Sequence, residues 1–111
     1  LAMAKEIGRL DIGQTAVVKA KAVMALEAIE GTDACIRRGG ELSGGGAAVG
    51  KAAKPQQDMR FDVPAIGTAT IESMIAVGAK ALAIEADRVL VVDRAKVAAL
   101  ADENGITIAA I

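Results

Sequence analysis

The chain has 111 residues, a length that fits one domain with a single modest core. It carries a formal net charge of −1, one aromatic residue (Phe61), one cysteine (Cys35) and no histidine. Those counts exclude an internal disulfide, a Ser-His-Asp or Cys-His nucleophile and a His-ligated zinc site. They also argue against a nucleic-acid binder, which needs a basic field and, for single strands, aromatic stacking platforms.

In chain order, residues 1–10 read as the end of a helix with Leu1, Ile7 and Leu10 near one face. The early charges Lys5 and Glu6 do not read as a signal peptide, and no segment is long and apolar enough to span a membrane. The chain does not open on Met and starts directly on this helical pattern, so it is expected to be a piece of a longer protein. Asp11-Ile12-Gly13-Gln14 breaks the helix. Residues 15–19 and 22–28 form a hairpin about Ala20-Lys21, although neither turn residue is the usual Gly or Asn. Glu30-Gly31-Thr32-Asp33 turns into a helix that Thr32 or Asp33 caps and that Gly39-Gly40 weakens at its far end. Residues 43–46 form a mobile glycine loop, and residues 47–53 a short strand.

Residues 54–67 are long for a loop, and Pro55 and Pro64 forbid regular helix through them. Their mixed charges and Phe61 favour an ordered conformation. A helix over 68–79 follows, capped by Thr68 or Thr70 and ended at Gly78. Strands 81–85 and 89–92 flank a tight turn in which Asp87 takes a left-handed backbone. Asp93 caps a last helix over 94–103. The final strand, 106–111, is apolar throughout and is expected to be central in its sheet or to face a partner copy. The pattern specifies an α/β (α+β) domain with a mixed sheet packed by three to four helices.

Two polar stretches can carry chemistry. In Glu30 to Arg38, Gly31 permits a sharp turn and the following helix N-terminus is an anion site. Asp33 there can hold a divalent cation or orient water, and Arg37, four residues on, can reach a phosphate. The plainer account makes Asp33 an N-cap and Arg37 its i,i+4 partner. In Lys54 to Asp62, two carboxylates, two cations and two amides fall within nine residues, a mixture suited to phosphoryl chemistry; the plainer account is a solvated loop. Without histidine, any metal would be a hard cation such as Mg²⁺ or Mn²⁺ on carboxylates. Gly44-Gly45-Gly46 lacks the Lys-Ser/Thr of a Walker loop. Gln14 can simply start a strand, and Cys35 reads as packing.

Three runs resemble the C-terminal domain of the LpxI-type UDP-2,3-diacylglucosamine pyrophosphatases: Gly8-Arg9-Leu10-Asp11-Ile12-Gly13-Gln14-Thr15, Ala28-Ile29-Glu30-Gly31-Thr32-Asp33-Ala34, and Lys54-Pro55-x-Gln57-Asp58-x-Arg60-Phe61-Asp62-x-Pro64-x-Ile66-Gly67. Ile84-Glu85-Ala86, Val92-Asp93-Arg94 and Asn104-Gly105 also fit, so the resemblance covers nearly the whole chain. It implies a cytoplasmic bacterial hydrolase of lipid A biosynthesis that uses Mg²⁺ or Mn²⁺. Its water attacks the α-phosphorus of UDP-2,3-diacylglucosamine, giving UMP and 2,3-diacylglucosamine 1-phosphate (lipid X). It also implies a homodimer, and an N-terminal nucleotide-binding domain that this chain lacks, so that the isolated domain is expected to be inactive. Contact with the membrane would be peripheral, through the lipid substrate.

The resemblance makes Asp33 the essential catalytic residue, as metal ligand or as general base. Gln14, Glu30, Thr32, Arg37, Lys54, Gln57 and Arg60 are then candidates for substrate binding, and Asp58 for a second metal ligand. Ala20-Lys21 and Asp87 depart from the family's glycine-containing turns, without touching the chemistry. The competing expectation is a non-catalytic module of the same fold that binds lipid-sugar or dimerises.

Overall fold

The computed structural model describes residues 1–111. It contains helices α1 (Ala2–Arg9), α2 (Thr32–Ser43), α3 (Thr68–Ala76) and α4 (Arg94–Glu103), with strands β1 (Thr15–Lys19), β2 (Ala22–Leu26), β3 (Ala48–Lys51), β4 (Ala65–Ile66), β5 (Ala81–Ile84), β6 (Leu90–Val91) and β7 (Thr107–Ala110). Five strands form a mixed sheet in the order β2-β1-β3-β5-β7. The β2/β1 and β1/β3 pairs are antiparallel, and β3/β5 and β5/β7 are parallel. This is the α/β domain expected from the sequence.

The two faces of the sheet differ because side chains alternate along each strand. Val17, Val49, Leu82 and Ile84 join the main core with Ile36, Ile71, Met74 and Val97 from α2, α3 and α4. Each fully buried Ile or Leu contributes about 1.5–3 kcal/mol of transfer free energy. The opposite face is built of Ala and Gly: Ala4 of α1 packs on Ala16 and Ala52, and Ala48, Gly50, Ala81 and Ala83 line a shallow groove beside it. Packing by small side chains is therefore confined to one side.

The hairpin stands where the hydrophobic runs put it. Ala20 and Lys21 both take positive φ, 51° and 65°, the geometry of a two-residue turn without glycine. Asp87 also takes the left-handed conformation, at φ 65°.

Several local expectations are corrected. Leu10 is exposed, and the buried face of α1 is Ala4, Ile7 and Gly8. Neither Thr32 nor Asp33 caps α2: the cap is Gly31 at φ 95°, with no side-chain cap bond, a conformation that favours glycine. The helix continues through Gly39 and Gly40 to Ser43, and these glycines let it lie against Val17 of β1 and Val77 at the end of α3, which a Cβ would overlap. The cap of α3 is Gly67, whose N–H donates to Thr70 Oγ1 at 3.5 Å. Asp93 is the N-cap of α4 as expected, but makes no side-chain cap bond. Residues 81–92 are not a hairpin, because β5 joins the main sheet while β6 pairs in parallel with β4. Finally, β7 is an edge strand, mostly exposed, rather than a central one.

Candidate functional site

The connectivity sends one set of ends to the same place. Thr15 pairs with Lys51, so the start of β1 and the end of β3 lie together. Glu27, just past β2, donates its N–H to the Thr15 carbonyl at 2.9 Å. The chain then turns at Gly31 into α2, which runs back along the sheet before entering β3. After β3 it passes through β4 into α3, which returns to β5. The N-termini of α2 and α3 therefore face the carboxyl ends of the parallel strands, where open α/β sheets bind ligands. The first N–H groups of α2 have no intrahelical partner and no side-chain cap, which leaves them free for an anion.

At this end sits a partly buried polar cluster. Thr15, fully buried, shares a hydrogen bond with Thr32 across 3.1 Å between their hydroxyl oxygens. The Gln14 N–H donates to Glu27 Oε1 at 3.2 Å. Gln14 Nε2 donates to Gln57 Oε1 at 2.7 Å, and that oxygen also accepts from the Lys54 N–H at 3.1 Å. Lys51, only 7% exposed, donates from Nζ to the Ala65 carbonyl at 2.8 Å. Burial lowers the pKa of Lys51, opposed by the negative charges of Glu27 and Asp33. Asp33, half-buried on the first turn of α2, thus lies within electrostatic range of this ammonium.

Of the residues singled out in the sequence, Gln14, Thr32, Asp33, Lys54 and Gln57 gather at this end. Lys54 is engaged by Asp11 at 3.0 Å, and that bond holds the Asp11 carboxyl below its ordinary range. Glu30 pairs with Arg38 rather than pointing inward: Arg38 Nη2 donates to Glu30 Oε1 at 2.6 Å and to the Leu26 carbonyl at 3.0 Å. The pair depresses the Glu30 pKa, chiefly through that hydrogen bond, and ties the turn before Asp33 to the end of β2.

Arg37 is not the partner of Asp33. It forms no ion pair and lines a depression with Gly40, Glu41, Gly44 and Gly78, at the opposite ends of α2 and α3. Asp58 and Arg60 turn outward and bind each other, with Arg60 Nε and Nη2 each 3.2 Å from a carboxylate oxygen, which lowers the Asp58 pKa. Arg60 also lies over the Phe61 ring, 5.3 Å from its centroid. Cys35 is fully buried, its pKa pushed up to about 12 by desolvation, and it behaves as packing.

Sequence reasoning passed over Lys51, Glu27 and Thr15. One signal was available for Lys51: a lysine inside the apolar run 47–53 is unusual, because lysine is rarely buried without a partner. No three His, Cys, Asp or Glu side chains converge into a metal-binding group. The connections that follow β2, β3 and β5, with the short strand β6, expose Ile29 (102%), Phe61 (83%), Val63, Leu90 and Val92. No helix is long and apolar enough to cross a membrane.

Comparison with known proteins places these residues in context. The family model of the LpxI C-terminal domain matches residues 1–109. The chain is 48% identical over 114 aligned positions to the UDP-2,3-diacylglucosamine pyrophosphatase LpxI of Caulobacter vibrioides, in an alignment covering 96% of this chain and 41% of that protein. The chain thus spans about two fifths of the length of this curated relative. By the extent of the family match, the chain belongs to the LpxI C-terminal domain family.

Proposed function

We propose that residues 1–111 form the catalytic C-terminal domain of a hydrolase that cleaves the pyrophosphate bond of UDP-2,3-diacylglucosamine in lipid A biosynthesis. The products would be UMP and 2,3-diacylglucosamine 1-phosphate. The observation that carries this reading is the position of Asp33. In a chain of this family, its carboxylate stands on the uncapped first turn of α2, beside a buried polar cluster at the carboxyl ends of β3 and β5. The exposed Ile29, Phe61, Val63, Leu90 and Val92 around that end suit a substrate with acyl chains next to its phosphates.

In this reading Asp33 orients a water and takes its proton as the water oxygen bonds to the α-phosphorus. The bond from that phosphorus to the bridging oxygen breaks, and the sugar 1-phosphate leaves with the electron pair. The free N–H groups of α2 receive the charge that develops on the phosphoryl oxygens. Thr32, Gln14, Gln57 and Lys54 bind the pyrophosphate, and the Glu30–Arg38 pair holds the turn that aims Asp33. Arg37 and Arg60 have no part in it, since neither is directed to Asp33.

The Mg²⁺ or Mn²⁺ expected from the resemblance does not find a full donor set within this chain. Asp58 is held by Arg60, and the buried neighbour of Asp33 is an ammonium group. The same proposal includes a second, nucleotide-binding domain that completes the site, inactivity of these residues alone, and a cytoplasmic homodimer.

The test is UMP release from UDP-2,3-diacylglucosamine by the full-length protein carrying this chain and by its Asp33→Asn variant. The reading expects turnover in the first and its near loss in the second. Unchanged turnover in Asp33→Asn would remove Asp33 from the chemistry.

A further inference from the structure

Lys51 is the one buried cation at the candidate site, and it is held in an unusual way. A lysine removed from water needs its charge compensated, and a structural one normally meets a carboxylate directly. Lys51 does not: it forms no ion pair within 4.0 Å, whereas Lys5, Arg9, Arg38, Lys54, Arg60 and Arg88 all do. The only hydrogen bond of its ammonium in the chain goes to the Ala65 carbonyl at 2.8 Å. An ammonium has three N–H donors, so two remain without a protein acceptor. Glu27 and Asp33 act on it by charge alone.

The location adds a second, independent reason. Lys51 is the last residue of β3, at the carboxyl end of a parallel pair, and the Ala65 carbonyl it holds lies just before the N-terminus of α3. Its free donors thus sit between the N-termini of two helices, both of which favour negative charge. An anion there meets two helix ends and a lysine whose desolvation has already taken place.

We infer that Lys51, through the two ammonium donors left free by the Ala65 carbonyl, is a phosphate-oxygen ligand for the pyrophosphate of the substrate. This rests on the hydrolase reading for the identity of the anion. It differs from that reading in its residue, since Lys51 lies outside the sequence motifs that pointed to Asp33. Burial disfavours the charged ammonium, the carboxylates of Glu27 and Asp33 oppose that effect, and the arriving phosphate supplies the acceptors it lacks.

The experiment uses the full-length protein and three variants: Lys51→Met, which keeps most of the apolar stem, Lys51→Arg, which keeps the charge, and Lys80→Met, an exposed control beside β5 at the far end of the sheet. Circular dichroism establishes which variants are folded under the assay conditions. Inorganic pyrophosphate is titrated calorimetrically, and the Lys51 ammonium resonance is followed by ¹⁵N NMR in the wild type. The ammonium resonance shifts with pyrophosphate, which a purely structural lysine would not show. Lys51→Met loses about 10- to 100-fold in pyrophosphate affinity, as for a lost charge-assisted hydrogen bond. Lys51→Arg retains part of that affinity, and Lys80→Met equals the wild type.

An unmoved resonance, or wild-type affinity in Lys51→Met, overturns the inference. UMP release separates the two readings. If the wild type turns over UDP-2,3-diacylglucosamine and Lys51→Met matches it in kcat and KM, the hydrolase reading stands and Lys51 is not a ligand. If pyrophosphate binding depends on Lys51 but no UMP is released, Lys51 stands and the hydrolase reading falls.

Discussion

The two polar stretches, Glu30 to Arg38 and Lys54 to Asp62, look alike in composition and differ in what the fold does with them. The first is fixed from both sides: Gly31 makes the turn, the Glu30–Arg38–Leu26 contacts tie it to β2, and the Thr32 hydroxyl reaches Thr15 in the core. The second divides at Gln57. Lys54 and Gln57 join the cluster, while Asp58, Arg60 and Phe61 satisfy one another in solvent. Charged residues close in sequence therefore do not make a site. What makes one here is attachment to the ends of buried strands, which holds side chains against free helix N-termini.

The sharpest way to break that contrast is to compare the same substitution in both stretches. Asp33→Asn is expected to lower the rate of UMP release by about 100- to 10,000-fold, the usual loss for a general base. Asp58→Asn is expected to leave it within about threefold, since only an exposed pair is lost. Equal losses would mean that the loop tip closes onto the site with substrate bound. Next in size is a test of the helix that carries Asp33. Gly40→Ala places a methyl against Val77 and should cost about 1–3 kcal/mol of stability by overpacking, read as a lower midpoint in urea with an unchanged slope. The Gly44→Ala substitution meets no neighbouring atom but is strained at φ 73°, so a smaller loss is expected there.

How far this could be read in the sequence depended on the range of the interaction. The hairpin, α2 and α4 were legible because their hydrophobic runs and turn residues act locally. The pairing of β6 with β4 was not: Asp87 makes a tight local turn, but β5 is taken up by β3 and β7, and β6 finds a partner some 25 residues back. The choice between Arg37 and Arg38 was equally hidden, because it depends on the side of α2 to which Gly31 delivers Glu30. Lys51 drew no attention inside the apolar strand 47–53. Its burial comes from β4 and the loop ahead of it folding over the end of β3, a contact 14 residues away in sequence. Gln14 read as the start of a strand and Gln57 as a loop amide until the fold joined them across 43 residues.

A smaller effect separates the two arginine–carboxylate pairs. Arg38→Ala removes the bond to Leu26 together with the one to Glu30, so the turn before Asp33 loosens, and turnover is expected to fall several-fold with little change in KM. Acid should act in the same direction. The pair depresses the pKa of Glu30, so the contribution of the tie is fully present above the ordinary carboxylate range, near 4.5, and is lost as the pH falls through the lower folded-state value. The acid side of the kcat profile should therefore differ between the wild type and Arg38→Ala.

The smallest effect belongs to Arg60. Its guanidinium holds only Asp58, two residues away, and covers a Phe61 ring that is itself in solvent. Exposed contacts of this kind contribute little to stability, and both lie within the loop and are not passed on to the sheet. Arg60→Ala should leave the midpoint of unfolding within about 1 °C and kcat within about twofold. KM for the acylated substrate is the informative quantity. If it rises several-fold while kcat stays level, the loop tip contacts bound substrate, and the division at Gln57 holds only for the empty site.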